Sequence, residues 1–307
     1  MPDLDTENRI VIRDRSHEFV AFLFPVVPDM MEQEAGYMDR SVMTTTPAAE
    51  YEEQGFIFRP GLLTSEDVGV MTDELDRILS ADPPHAGVIL EKDGRTPRSV
   101  FNPHLYNDVY GRVIRHPRLL GTVQELLSEQ VYTYQLAINC KAAFNGDVWF
   151  WHQDYPTYRY DDHIPESRMV NALIFLDEVT NLNGPLMMVP GSHRLESGMP
   201  EESTQGTSYK LRYAEPDAIE SEVRRGGVVA PTGQAGSVIF MNPNALHGST
   251  ANLSPWPRRM ITLTYNAMSN KATSPSVRSR DIVYDDTDLP ALEPLDDDSL
   301  EVGAAAG

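Results

Sequence analysis

The six residues Trp149-Phe150-Trp151-His152-Gln153-Asp154, answered much later by Leu246-His247-Gly248-Ser249, restrict what this chain can fold into more than any other feature. A His-x-Asp pair with one distant His is the ligand set that holds non-haem Fe(II) on one triangular face and leaves the opposite face to reagents. It works only if the fold carries two remote segments to one point. In an extended strand, residues i and i+2 project to the same side, so His152 and Asp154 are expected to face one metal ion while Gln153 faces away. His247 must arrive from a second strand. It follows Gly236-Ser237-Val238-Ile239-Phe240-Met241, a run bounded by a Gly turn and by Pro243 that reads as a strand delivering a loop. A lone His-x-Asp carries little weight in a chain with 8 His and 46 acidic residues. Arg258 raises it: if it opens the return strand Arg259–Tyr265, its guanidinium lies near the metal and can clamp a carboxylate through two parallel hydrogen bonds.

From Val131 onward the pattern is of short runs punctuated by Gly, Pro and Asn, over 131–141, 148–154, 169–176, 186–189, 237–241 and 259–266. Such spacing predicts a mainly β protein built as a double-sheet jelly roll, a cupin-like double-stranded β-helix. Helices flank it. Thr64 reads as a cap before Glu66 and Asp67, with Val68, Met71, Leu75, Ile78 and Leu79 on one face, and Pro117 opens a second helix through Leu120, Val123, Leu126 and Leu127. We expect residues 1–50 to form an N-terminal arm over the barrel or over a neighbouring subunit of a homodimer, with Phe19–Pro28 as its apolar contact and a substrate lid as the alternative. Residues 51–284 are then the jelly-roll domain, with an insertion at about 194–232 over the barrel mouth, partly helical. The acidic stretch 285–307, with Asp285-Asp286 and Asp296-Asp297-Asp298, reads as a solvated, poorly ordered tail.

Composition excludes several classes. A net charge of −21 opposes polyanionic partners, so nucleic acid is not expected. The single cysteine, Cys140, forms no internal disulfide, and the N-terminus lacks a basic-then-apolar signal pattern, which points to the cytoplasm. No apolar run approaches the length of a membrane span.

Ordered motifs from about Tyr51 to Tyr265 resemble the phytanoyl-CoA dioxygenase family of Fe(II)- and 2-oxoglutarate-dependent oxygenases. They include Leu90-Glu91-Lys92-Asp93-Gly94-Arg95-Thr96, Arg115-His116-Pro117, Ile138-Asn139-Cys140-Lys141, Gly146–Tyr155, Asn183-Gly184-Pro185-Leu186, Val189-Pro190-Gly191-Ser192-His193 and His247-Gly248-Ser249. Within the family the nearest look is to bacterial hydroxylases of free amino acids and their derivatives, of the proline 4-hydroxylase and ectoine hydroxylase types. Ectoine hydroxylases carry Phe-Glu-Thr-Trp-His after the His-x-Asp, where this chain has Tyr155-Pro156-Thr157-Tyr158-Arg159, and that departure turns the expectation toward proline.

The resemblance implies Fe(II) on His152, Asp154 and His247, with 2-oxoglutarate as cosubstrate and O₂ as oxidant. Decarboxylation to succinate and CO₂ then drives hydroxylation of an unactivated C–H bond. The carboxylate of Asp154 favours hydroxylation, because related halogenases have a small residue there. Arg258, assisted by Ser249, is expected on the far carboxylate of the cosubstrate. Asn139 matches a family position that contacts the cosubstrate, and Thr157 and Tyr158 follow the metal motif closely enough to line that pocket. Gln135 matches a family position used for substrate and shares a strand face with Asn139. Arg95, Arg98, Arg159 and Arg168 are candidates for a substrate carboxylate. His163 and His193 are read as lying outside the metal set, His193 bracing a loop. The expected substrate is a small free amino acid, proline or a proline-like compound. Ectoine or a natural-product intermediate is the alternative, a noncatalytic cupin-like binding protein is the reading from another class, and zinc hydrolysis is a further use of a His-Asp-His set.

Overall fold

The computed structural model describes residues 9–14, 17–22, 46–195, 202–203, 211–279, 282–283 and 289–301. The chain divides into two units at Thr45/Thr46. In the first, β1 (Arg9–Asp14) pairs antiparallel with β2 (His17–Phe22). The remainder of the apolar stretch assigned to the N-terminal arm, 23–28, lies outside the described residues. The second unit begins earlier than residue 51, because Thr46 caps helix α1 (Pro47–Gln54) by accepting from the Ala49 N–H.

The second unit is the expected jelly roll. Its larger sheet is built from β3 (Phe56–Arg59), β4 (Val88–Leu90), β5 (Pro97–Phe101), β6 (Val131–Lys141), β8 (Met169–Phe175), β12 (Val238–Met241) and β14 (Arg258–Ala267), in the order β3-β12-β8-β14-β6-β5-β4. The smaller sheet has the order β7-β13-β9, from β7 (Trp149–His152), β9 (Met187–Met188) and β13 (His247–Ser249). Alternation along the strands sorts their side chains into two layers. On β8, Val170, Ala172 and Ile174 face a helical layer, whereas Leu173 and Phe175 face the smaller sheet.

That helical layer explains the capping and periodicity in the sequence. Helix α2 (Ser65–Leu79) starts on a capping box between Thr64 and Asp67 and buries Val68, Met71, Leu75 and Ile78. A short α3 (Asp108–Val113) and then α4 (Pro117–Leu127), which buries Leu119, Leu120 and Val123, complete the layer. Every one of these apolar side chains packs in one cluster with Leu136, Ile138, Ile261 and Leu263 of the larger sheet. Among the described residues no helix is long and apolar enough to cross a membrane.

The segment 194–232 is partly helical, as expected: its described part contains helix α6 (Pro216–Gly226) and β11 (Leu211–Arg212), which pairs with β10 (Glu202–Ser203). One expectation changes. The acidic tail is not simply solvated. Over 289–301, Leu300 is only 2% exposed in the main core, and Leu292 N–H donates to Val131 O at 2.8 Å. Asp297 meets Arg112 at 2.9 Å and Asp298 meets Arg118 at 2.6 Å. Charge density alone suggested disorder, but the arginines on the helical layer match it and the leucines anchor it.

Candidate active site and metal centre

His152 and His247 lie directly opposite each other across the β7–β13 pair, with ring centroids 4.2 Å apart. Cross-strand neighbours approach this closely by sheet geometry alone, so the distant histidine reaches the first motif through strand pairing. The Pro190-Gly191-Ser192 turn fixes the approach: Leu246 N–H donates to Ser192 Oγ at 2.8 Å, and Val189 N–H to Leu246 O at 3.0 Å. Gly248 suits this close strand pairing, since a Cβ there would stand tightly at 3.0 Å from Trp149 O and 3.2 Å from Trp151 N.

Asp154 joins them by a route other than strand alternation. The strand ends at His152, and Asp154 has helical dihedrals (φ −76°, ψ −37°) at the start of helix α5 (Tyr155–Tyr160), with its N–H held by Pro243 O at 2.8 Å. Pro156 in the first turn favours this helical start. Gln153 does point away, donating to Asn244 O. The candidate donor atoms of His152, Asp154 and His247 lie within 4.8 Å of one another, and among the described residues no other His, Cys, Asp or Glu joins the group.

The trio fits a ferrous ion. Nδ1 of His152 contacts Phe150 O at 2.6 Å and Nδ1 of His247 contacts Ala245 O at 2.9 Å. Both contacts place the ring proton on Nδ1 and turn a lone pair on Nε2 toward Asp154, as histidine ligands require. Those Nε2 atoms are 3.5 and 3.8 Å from the Asp154 carboxylate oxygens. Burial, and then His152, push His247 down to about 4, so at neutral pH its ring is uncharged and able to ligate. For Asp154 burial opposes ionisation, but His247, His152 and Asn171 outweigh it and hold the carboxyl below its ordinary range. Asn171 on β8 donates to Asp154 Oδ2 at 2.7 Å and is itself fixed by Thr264 Oγ1 at 2.7 Å. Because such outer partners orient metal ligands, Asn171→Ala is expected to weaken Fe(II) binding by about 10- to 100-fold, read by anaerobic iron titration.

A cavity of about 350 Å³ opens on this trio between the two sheets. Along β6 the row Gln135, Ala137 and Asn139 faces it, opposite Thr264, Thr262 and Met260 of β14 in register. At the end of that row Arg258, only 2% exposed, lines the cavity; its Nε donates to Gly184 O at 3.1 Å and its Nη2 to Ser249 Oγ at 3.3 Å. Burial draws the guanidinium down to about 10, still cationic at neutral pH. Gly184 needs its glycine: φ is +73°, and a Cβ would come within 2.8 Å of Lys141 Cδ and of Thr250 O. Lys141, paired in register with Arg258, donates to Asp147 O at 2.5 Å and Thr250 O at 2.6 Å and so ties together two loops around the pocket. Burial and then Arg258 lower its amine to about 6.

Of the residues singled out in the sequence, the structure brings His152, Asp154, His247, Arg258, Ser249, Asn139, Thr157, Tyr158 and Gln135 to this one cavity. Four substrate candidates are placed elsewhere. Arg95 is exposed in its loop, with its own N–H capped by Asp93. Arg98 is buried away from the cavity lining, paired with Glu91 at 3.0 Å and lying 4.0 Å from the Trp149 ring centre. Arg159 faces outward on α5 beside Tyr160. Arg168 bonds Glu129 and Ser269. His163 and His193 stand outside the metal trio, and the His193 carbonyl accepts from Asn244.

Sequence reasoning missed Asp161, Arg212 and Arg278 on the cavity wall. Asp161 had a legible signal. Asp154, Thr157, Tyr158 and Asp161 follow the i, i+3, i+4, i+7 spacing of one helical face, and all four line the cavity. Arg212 and Arg278 arrive from β11 and from the segment after β14, with no local pattern to mark them.

Residues 51–260 match the phytanoyl-CoA dioxygenase (PhyH) family. The chain is 32% identical over 271 residues to an ectoine dioxygenase of Bordetella bronchiseptica, covering 85% of this chain and 86% of that enzyme. It is also 32% identical over 262 residues to an L-proline trans-4-hydroxylase of Streptomyces griseoviridis, covering 81% and 95% respectively. Among solved structures, EctD from S. alaskensis with 2-oxoglutarate and 5-hydroxyectoine matches with a TM-score of 0.72 at 28% identity, covering 84% of this chain and 90% of that one. EctD with bound Fe matches with a TM-score of 0.71 at 29% identity, covering 84% and 90%.

Proposed function

Because the chain belongs to the phytanoyl-CoA dioxygenase family, and is a 2-oxoglutarate-dependent non-haem iron hydroxylase, we propose that its substrate is a small free cyclic amino acid, L-proline or a close analogue. In this reading His152, Asp154 and His247 hold the iron, which with 2-oxoglutarate supplies the activation of O₂ and the abstraction of hydrogen from carbon. The protein's own residues do the rest. Arg258 and Ser249 anchor the far carboxylate of the cosubstrate, with Asn139 and Thr157 along its flank. Leu173, Leu186 and Met260 keep the inner wall apolar.

The observation that carries the substrate assignment is the cavity. At about 350 Å³ it sits near the lower end of ligand pockets, and cosubstrate and substrate must share it, so a bulky acyl chain does not fit the reading. A second guanidinium, Arg278, lines it in addition to Arg258 and suits a second carboxylate, that of an amino acid. Gln135 is steadied by donating to Ile282 O at 2.6 Å and adds an amide to the same wall. Similarity to ectoine dioxygenases supports ectoine as the second reading, since it too is a small ring bearing a carboxylate. The segment Tyr155–Arg159 favours proline.

The test is a metabolite panel incubated with the enzyme, Fe(II) and 2-oxoglutarate in air and followed by mass spectrometry. L-proline is expected to gain one oxygen with matching succinate formation. If ectoine alone gains it, the second reading replaces the first. Succinate formed without oxidation of any small cyclic amino acid would overturn the substrate assignment.

A further inference from the structure

Two adjacent aspartates close helix α5, and each holds one arginine of the cavity wall, but their second oxygens differ. Asp162 is 1% exposed and fully engaged. Its Oδ1 accepts from Ser276 Oγ at 2.5 Å and Arg278 Nε at 2.8 Å, and its Oδ2 accepts from the Tyr134 hydroxyl and Arg278 Nη2. Its task is to aim Arg278. Asp161 is 7% exposed and lines the cavity; its Oδ1 accepts from Arg212 Nη2 at 2.6 Å, while its other oxygen has no hydrogen-bond partner among the described residues. That oxygen is open to the cavity Asp161 lines, so it is placed to accept a hydrogen bond from whatever enters.

Arg212 is itself fixed beside the metal-bearing strand. The next residue, Tyr213, bridges to His152, and Ala214 N–H donates to Trp151 O at 2.9 Å. Asp161 therefore holds a set position, two helical turns or about 10 Å of rise beyond Asp154 on the same face. What suits a carboxylate on the same cavity wall as Arg278 is a molecule carrying both a carboxylate and a cationic nitrogen.

We propose that Asp161 is the substrate-selecting anion of this enzyme, its second carboxylate oxygen receiving the cationic ring nitrogen of the amino acid whose carboxylate lies at Arg278. Asp161 makes the enzyme a reader of zwitterions, and Arg212 is the positioning residue that keeps it aimed. This rests on the amino-acid reading given above.

The test compares L-proline with tetrahydrofuran-2-carboxylate, in which oxygen replaces the ring nitrogen, using iron-loaded enzyme at saturating 2-oxoglutarate. Should the panel return another cyclic amino acid, that compound and its oxygen isostere are used. The wild type is expected to prefer the amine by at least about a hundredfold in kcat/KM, as sites built to bond a substrate N–H do. Asp161→Asn should shrink that preference to within about tenfold, through KM for the amino acid, with KM for 2-oxoglutarate unchanged. Asp161→Glu should restore part of it. A wild type that treats both compounds alike overturns the proposal without any variant. So does an Asp161→Asn enzyme that keeps the full preference while still converting 2-oxoglutarate to succinate. If the wild type oxidises no zwitterion at all, the amino-acid reading itself falls and this inference with it.

Discussion

Asp154→Ala is expected to abolish hydroxylation, lowering kcat by at least about a thousandfold, equivalent to about 4 kcal/mol of transition-state stabilisation. His152→Ala should do the same. With Asp154 removed, two neutral imidazoles are left to hold a divalent ion, and the only anionic donor of the trio is gone. Asn171 also loses the acceptor of its buried side-chain N–H, while its oxygen still accepts from Thr264. That costs about 1–3 kcal/mol of stability, so circular dichroism should accompany the assay to separate lost chemistry from lost fold. Metal analysis should find well under one iron per chain in the variant. An Asp154→Ala enzyme that retains iron and hydroxylates at even a tenth of the wild-type rate would contradict the assignment.

Arg258→Met is expected to raise KM for 2-oxoglutarate by about a hundredfold, in line with the roughly 2–5 kcal/mol lost on truncating one partner of a buried charge pair. The site explains the size. Arg258 is almost wholly shielded from water, remains cationic at neutral pH, and spends Nε on Gly184 O and Nη2 on Ser249, so its fork is held before any ligand arrives. Methionine fills much of the volume but carries neither charge nor fork. Steady-state titration of 2-oxoglutarate reads the effect, and KM for the amino acid should move far less. Equal shifts in both would mean that Arg258 serves the general shape of the cavity and not the cosubstrate.

How much of this was legible beforehand depended on whether a residue's partner was local. The inner strand Val131–Lys141 was bounded to the residue, because eleven residues of alternation leave little ambiguity. Helix α2 was equally plain from Thr64 and its apolar face. The short strands β3, β4 and β5 were not foreseen, since three to five residues carry too little periodicity. The three proposed ligands do converge, but not by the strand alternation expected: Asp154 turns into a helix, and that turn hid the row leading to Asp161. Arg98 shows the opposite failure. In sequence it stands in a polar, Gly-containing loop, yet Glu91 and Trp149 draw it into the interior. Only the three-dimensional fold decides which arginine reaches the cavity and which is held away from it.

The central claim is one ferrous ion on His152, Asp154 and His247, with room beside it for the 2-oxo acid of a cosubstrate held by Arg258. Anaerobic titration of 2-oxoglutarate into protein loaded with Fe(II) tests it most directly, through the visible charge-transfer band that appears when a 2-oxo acid chelates ferrous iron. The band should grow to saturation at one cosubstrate per chain, be absent in His152→Ala, and need far more cosubstrate in Arg258→Met. No band in the iron-loaded wild type, or an undiminished one in His152→Ala, would contradict it.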